Sequence, residues 1–82
     1  MIYPTVHLNG TSRNQLVEQY TSAYIALGDA VRVMCDNGPN GRDYYLQGPD
    51  AITTALAEHS ARVDKIREVM AELMAIAERV AA

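Results

Sequence analysis

Residues 52–80, ITTALAEHSARVDKIREVMAELMAIAERV, decide the fold of this chain. One face of this stretch carries apolar side chains and a single histidine at alternating spacings of four and three residues. Its members are Ile52, Leu56, His59, Val63, Ile66, Met70, Leu73, Ala77 and Val80. This spacing is the heptad seam of a helix that packs against another helix. It predicts a long helix over 49–81, where Pro49 and Asp50 both suit the first helical turn.

A second helical pattern precedes this one in the chain. Ser12 and Gln15 have the spacing of a capping box, and apolar residues then recur every three or four positions. These residues are Leu16, Tyr20, Tyr24, Leu27, Val31 and Met34. The pattern ends at Gly38-Pro39, so we expect a helix over 12–36 that closes with a residue in the left-handed conformation.

Two long helices joined by the loop 37–48 predict an all-α fold, an antiparallel helical hairpin in one domain over 1–82. Alignment of the two seams from the loop places His59 nearest to Leu27 and Val31. Residues 1–10 carry a proline and an alternating pattern, and they predict a short extended N-terminal arm.

The second half of the long helix carries more apolar surface than one partner helix can cover. Burial of a large aliphatic side chain contributes roughly 1.5 to 3 kcal/mol, so this surplus favours association into an oligomeric helical bundle. We therefore predict a homo-oligomer, dimeric or higher. The predicted interface consists of Val69, Met70, Leu73, Met74, Ile76 and Val80.

Composition excludes several classes of function. The net charge of -3 comes without any Lys/Arg cluster, which disfavours DNA or RNA duplex binding. No apolar run is long enough for a membrane span and no secretory signal is visible, so a cytoplasmic protein is expected. The lone Cys35 is expected to be a small buried hydrophobe. The chain offers no metal-ligand or catalytic spacing, which predicts no metal, no cofactor and no enzymatic activity.

Charged residues on the outer face of the long helix are spaced for mutual support. Glu58 and Arg62 are four apart, and Asp64 and Arg67 are three apart. Pairs at these spacings are expected to form exposed ion pairs that support the helix without making a site.

The loop is the first candidate site, because NGPNGRDYYLQGP (37–49) is richer in side-chain chemistry than a helix connection needs. Arg42 offers a planar fork for phosphate or carboxylate, and Tyr44 and Tyr45 offer faces on which a base can stack. Together with Asp43 they predict a site for a small anionic, nucleotide-like ligand. The alternative is a structural role, in which Arg42 pairs with Asp43 and the two tyrosines pack the loop against the helices.

Three further polar residues are candidates to complete such a site. His59, on the seam, is interpreted either as a ligand contact or as a core histidine bonded to a carbonyl or a tyrosine hydroxyl. His7 and Asn9, on the arm, could reach the loop of a neighbouring subunit.

Three strings, HLNGTS (7–12), NGRDYY (40–45) and Glu58-His59, resemble those of small proteins from tailed bacteriophages and prophages, a group with no settled activity. The resemblance covers most of the chain and implies a viral protein in the cytoplasm of a bacterial host. Small phage proteins often disarm host defences, and some are oligomeric hairpins that sequester cyclic nucleotides, although their motifs are missing here.

These observations predict a non-catalytic phage accessory protein, a counter-defence sponge that binds a nucleotide signal of the host. The alternatives are an interaction module that inhibits a host or phage protein through its helical face, and a structural or assembly factor.

Overall fold

The structure, a computed structural model, describes residues 1–82 and contains two long helices. Helix α1 spans Arg13–Asp36 and helix α2 spans Ala51–Ala81, and the connection holds two short 3₁₀ turns, Gly41–Asp43 and Tyr45–Gln47. The helices pack against each other along a molecule of 61 × 21 × 17 Å, and no strand is present. The predicted helical hairpin is therefore confirmed.

The start of α1 follows from its capping residue. The hydroxyl of Ser12 accepts a hydrogen bond from the backbone N–H of Gln15 at 3.2 Å, which satisfies one donor at the open end of the helix. The Ser12 hydroxyl in turn donates to the side-chain oxygen of Gln15, also at 3.2 Å. In a complete capping box that oxygen would accept from the backbone N–H of Ser12. The capping box is thus present in a modified form.

Loss of this cap gives the first testable change. Ser12→Ala should destabilise the protein by about 1 kcal/mol, because the N–H of Gln15 loses its partner. In a domain of this size the melting temperature should fall by roughly 4 to 8 °C. Thr11→Ala is the matched control, since Ser12 and not Thr11 caps the helix. Equal melting temperatures for the two variants would contradict the assignment of the cap.

The end of α1 differs from the prediction. No non-glycine residue has a positive φ, and Asn37 closes the helix at φ -121. Its backbone N–H and its side-chain amide both donate to the carbonyl of Val33, at 3.1 and 2.7 Å. The expected left-handed cap is wrong because the Asn37 amide satisfies the helix end without a reversal of the backbone.

α2 begins two residues later than predicted, at Ala51. Gly48 has φ +113, a left-handed value that a side chain would strain, and the chain turns there. Pro49 and Asp50 lie in this turn, and the Asp50 side chain makes no capping bond. The proline therefore shapes the approach to α2 rather than its first turn.

The register of the hairpin, which is the position of one helix along the other, also differs from the prediction. His59 contacts the carbonyl of Met34, about one turn beyond the predicted Val31, while Arg13 and Ala81 line the same recess at the other end. The surplus length of α2 therefore lies in its first two turns. The 3₁₀ turn Tyr45–Gln47 lies close to α2.

The core is thin. Val31, Val63, Ala77 and Val80 are buried, and the other members of both seams are at best half-buried. The chain exposes 6097 Å² in total. A compact monomer of this mass is expected to expose about 4,900 Å², so the surplus is about 1,200 Å².

Two glycines give opposite predictions for alanine substitution. Gly28 lies inside α1, and a Cβ there would sit 3.5 Å from Cε of Met70, an ordinary contact. Gly28→Ala should therefore stabilise the protein by about 0.5 to 1 kcal/mol, through helix propensity. Gly48→Ala should destabilise it by about 1 kcal/mol because of the positive φ. Thermal unfolding measures both, and a fall in melting temperature for Gly28→Ala would contradict the packing described.

The N-terminal arm lies against the end of α2. The guanidinium carbon of Arg79 is 5.0 Å from the centre of the Tyr3 ring, a cation–π distance, and Tyr3 and Pro4 are half-buried. The arm forms no strand and closes in a turn in which the N–H of Gly10 donates to the carbonyl of His7 at 3.2 Å. Neither α1 nor α2 combines the length and apolarity that a membrane-spanning helix needs.

Candidate functional site

The loop between the helices has an ordered backbone. Asn40 accepts the N–H of Arg42 on its side-chain oxygen at 3.0 Å, and its carbonyl accepts the N–H of Asp43 at 3.0 Å. The carbonyl of Gly41 accepts from Tyr44 at 3.1 Å, and that of Tyr44 accepts from Gln47 at 3.0 Å. These bonds fix the two 3₁₀ turns, so the side chains that the loop carries have fixed starting points.

The loop presents its side chains outward. Tyr45 is 70% exposed and Leu46 is 86% exposed, whereas Tyr44 is half-buried. Arg42 and Asp43 are exposed and form no salt bridge with each other. In the alternative interpretation, both tyrosines hold the loop against the helices and Arg42 pairs with Asp43. Of these contacts, only that of Tyr44 is compatible with the structure, and the pairing of Arg42 with Asp43 is absent. We call the exposed trio Arg42, Tyr45 and Leu46 the loop surface.

The loop surface is convex in a single chain. The structure has three surface recesses, and none of them is lined by a residue of 37–50. Sites for small molecules are normally concave and cover most of the ligand. A small ligand on this loop would therefore need a second chain to close over it.

His59 lies under the base of the loop. Its Nε2 is 2.7 Å from the carbonyl oxygen of Met34, and a Cβ built on Gly38 would lie 3.7 Å from its ring. Because a carbonyl only accepts, Nε2 carries the hydrogen in this contact. Met34 belongs to the last turn of α1, whose carbonyls have no partner within the helix. His59 thus satisfies the end of α1 from α2, which is the contact expected of a core histidine.

The two arm residues lie at the opposite end of the same chain. His7 and Asn9 are exposed and precede α1, whose 24 residues separate them from the loop by about 36 Å. Arg42, Asp43, Tyr44 and Tyr45 stay together because they are adjacent in the loop, whereas His59 contacts Met34 and lies beside Gly38, and His7 and Asn9 lie apart. A contribution from the arm requires a second copy, as the sequence suggested.

The predicted oligomer interface falls into accessible and inaccessible parts. Val80 is 5% exposed within its own chain, so a partner could cover little more of it. Val69 is exposed, and the remaining four, Met70, Leu73, Met74 and Ile76, are half-buried and could lose further surface to a partner. Val80 is removed from the predicted interface because the packing of its own chain already buries it.

One side of the hairpin carries an apolar groove of about 490 Å³. It runs along α2 beside Tyr24 of α1, and α2 lines it with Arg67, Met70, Ala71, Met74, Ala75 and Glu78. The sequence pattern identified the two methionines but missed Ala71 and Ala75. The sequence did contain a signal for these two alanines, because each methionine of the groove is followed directly by an alanine.

Two further predictions about side chains are wrong. Arg67 forms no salt bridge with Asp64, although Arg62 does pair with Glu58 at 3.6 Å. Cys35 is exposed rather than buried, because the buried side of α1 passes through Val31 and Met34 and leaves position 35 outside it.

No group of three or more histidine, cysteine, aspartate or glutamate side chains lies close enough to hold a metal ion. What the structure offers is an ordered, exposed loop surface at one end and an apolar groove along one side. Comparisons of this chain with protein-family models, with curated proteins and with solved structures gave no significant match.

Proposed function

We propose that this protein is a non-catalytic interaction module that binds a protein partner through its loop surface. The observation that carries the proposal is the adjacent exposure of Tyr45 and Leu46 beside the unpaired Arg42. Tyrosine and arginine are enriched among the residues that dominate binding energy at protein interfaces. An ordered loop also loses little conformational entropy on binding. A convex surface of this kind suits a macromolecule better than a small molecule.

The module works as a homo-oligomer. The surplus of about 1,200 Å² of exposed surface exceeds the roughly 800 Å² that each partner of a standard protein interface buries. The half-buried side chains of Tyr24, Met70 and Met74 line one groove and supply apolar surface for such an interface. A second copy of the hairpin would cover them and present two loop surfaces on one assembly.

The resemblance of the HLNGTS and NGRDYY strings to small phage proteins supports a setting for this activity. In that setting the protein acts in the cytoplasm of a bacterial host and inhibits a host or phage protein. Counter-defence is the role that this setting favours.

A nucleotide-like anion is the second candidate ligand, and one observation favours it. Arg42 makes no salt bridge within the chain, so its guanidinium is available for a phosphate, beside the exposed ring of Tyr45. In this version the arm of a second subunit, with His7 and Asn9, would close the site over the loop, and the protein would sequester a nucleotide signal.

The experiment compares two double variants that each remove two exposed apolar side chains. Tyr45→Ser with Leu46→Ser alters the loop surface, and Ile25→Ser with Val33→Ser alters exposed positions of α1. Immobilised wild type and both variants are incubated with bacterial host lysate, and captured proteins are quantified by mass spectrometry. We expect a stoichiometric partner that the loop variant loses at least tenfold and the α1 variant retains.

The same proteins distinguish the second candidate by calorimetry with a panel of cyclic and linear nucleotides. Saturable nucleotide binding that is lost in Arg42→Ala and in Tyr45→Ala would show that the loop surface binds a nucleotide rather than a protein partner. Equal capture by both double variants, with no nucleotide bound, would contradict both proposals for the loop.

A further inference from the structure

The apolar groove on α2 has a composition that suits a second copy of itself. We propose that it is the interface between two subunits, whose α2 helices pack antiparallel about a two-fold axis that passes between Glu72 and Leu73. This inference rests on the proposed homo-oligomer and names the surface that forms it.

A two-fold axis of this kind decides which residues face each other. In an antiparallel pair of identical helices, a residue at a given distance before the axis faces the residue at the same distance after it. Ala71 then faces the partner's Met74, and Met70 lies at the same level as the partner's Ala75 on the opposite margin of the interface. Each Met74 therefore meets an alanine, and the symmetry repeats this pair. Long side chains that fill the space beside short ones are what close helix packing requires.

The two ends of the groove are complementary in charge under the same axis. Arg67 faces the partner's Glu78, and Glu78 faces the partner's Arg67. Both residues are exposed and neither forms a salt bridge within its own chain. The failure of Arg67 to pair with Asp64 leaves its guanidinium available at the rim.

The residue types, and not only the spacing, single out this arrangement. Any helix face with this spacing is symmetric in position, but opposite charges at its two ends and alternating methionine and alanine between them are particular to this chain. A parallel pairing would set Arg67 against the partner's Arg67 and one Glu78 against the other. Repulsion between like charges disfavours that alternative and so specifies the antiparallel one.

The groove is a strip along α2 that continues onto α1. The groove runs over 67–78, about three helical turns, and Tyr24 extends it onto α1.

Charge reversal tests the pairing without a change to the core. Sedimentation equilibrium is measured for wild type, Arg67→Glu, Glu78→Arg and the double variant that carries both changes. We expect a wild-type dimer. Each single change replaces two attractions by two repulsions, and it should weaken the dimer roughly tenfold or more. The double variant restores opposite charges and should return to within about threefold of wild type.

The outcomes separate this inference from the function on which it rests. A wild-type protein that stays monomeric while folded would overturn both the interface and the homo-oligomer. A wild-type dimer that both single variants preserve, or that the double variant fails to restore, would overturn this interface and leave the homo-oligomer standing. Circular dichroism of each variant should show that helix content is retained, because both altered side chains are exposed.

Discussion

Val63→Asp is expected to abolish the folded hairpin. Val63 is 4% exposed and is one of four buried side chains. A carboxylate without a partner at such a position costs several kcal/mol, because it loses its hydration. A single core in a chain this short rarely supplies more than about 3 to 5 kcal/mol of net stability. The cost of the substitution is therefore comparable with the whole stability of the fold.

Thermal unfolding followed by circular dichroism checks this expectation. Val63→Asp should show no cooperative transition, whereas the matched control Val33→Asp should unfold cooperatively, because Val33 is half exposed at 50%. If both variants melted within a few degrees of each other, the buried seam would not be what stabilises the molecule.

Removal of the His59 side chain is expected to produce the next largest loss. The contact of Nε2 with the carbonyl of Met34 joins the two helices at the loop end, over a distance of 2.7 Å. A part-buried carbonyl left without a donor costs about 1 to 3 kcal/mol, and the ring also packs beneath Gly38. His59→Ala loses both contributions, whereas His59→Leu keeps apolar packing at the seam and loses only the hydrogen bond.

Chemical denaturation of the three proteins separates the two contributions. The expected order of the free energy of unfolding is wild type, then His59→Leu, then His59→Ala, with about 1 kcal/mol between wild type and the leucine variant. A leucine variant as stable as wild type would show that the bond to Met34 adds nothing to the hairpin.

The hairpin itself could be predicted because its cause is periodic and local. Apolar residues at alternating spacings of four and three predict α2, and the Ser12 cap and the break at Gly38-Pro39 bound α1 within a residue or so. These signals depend on the geometry of one helix at a time, which the sequence reports directly.

The register could not be predicted, because periodicity does not report how far one helix slides along the other. In the structure His59 contacts the carbonyl of Met34 in the last turn of α1, so the first two turns of α2 extend beyond that end of α1. Two side-chain predictions were wrong because periodicity also does not report which rotamer a side chain adopts. The left-handed cap failed because the Asn37 amide reaches Val33, and the pairing of Arg67 with Asp64 is one of several rotameric choices on an exposed helix.

The candidate site could be predicted in part for a related reason. Four of its residues, Arg42 to Tyr45, are adjacent in sequence, so they remain together in any fold. Whether they form a pocket depends on the surface around them, and in one chain that surface is convex. Ala71 and Ala75 escaped attention because alanine carries little apolar surface, although its small size is what leaves the groove open beside the two methionines.

Native mass spectrometry of the purified wild-type protein without added ligand tests most directly the claim that a second copy covers the open face of the hairpin. At micromolar concentration the account predicts an even multiple of the 9.0 kDa chain mass, with the dimer as the smallest folded species. A single-chain mass at every concentration, from protein that is fully helical by circular dichroism, would contradict it.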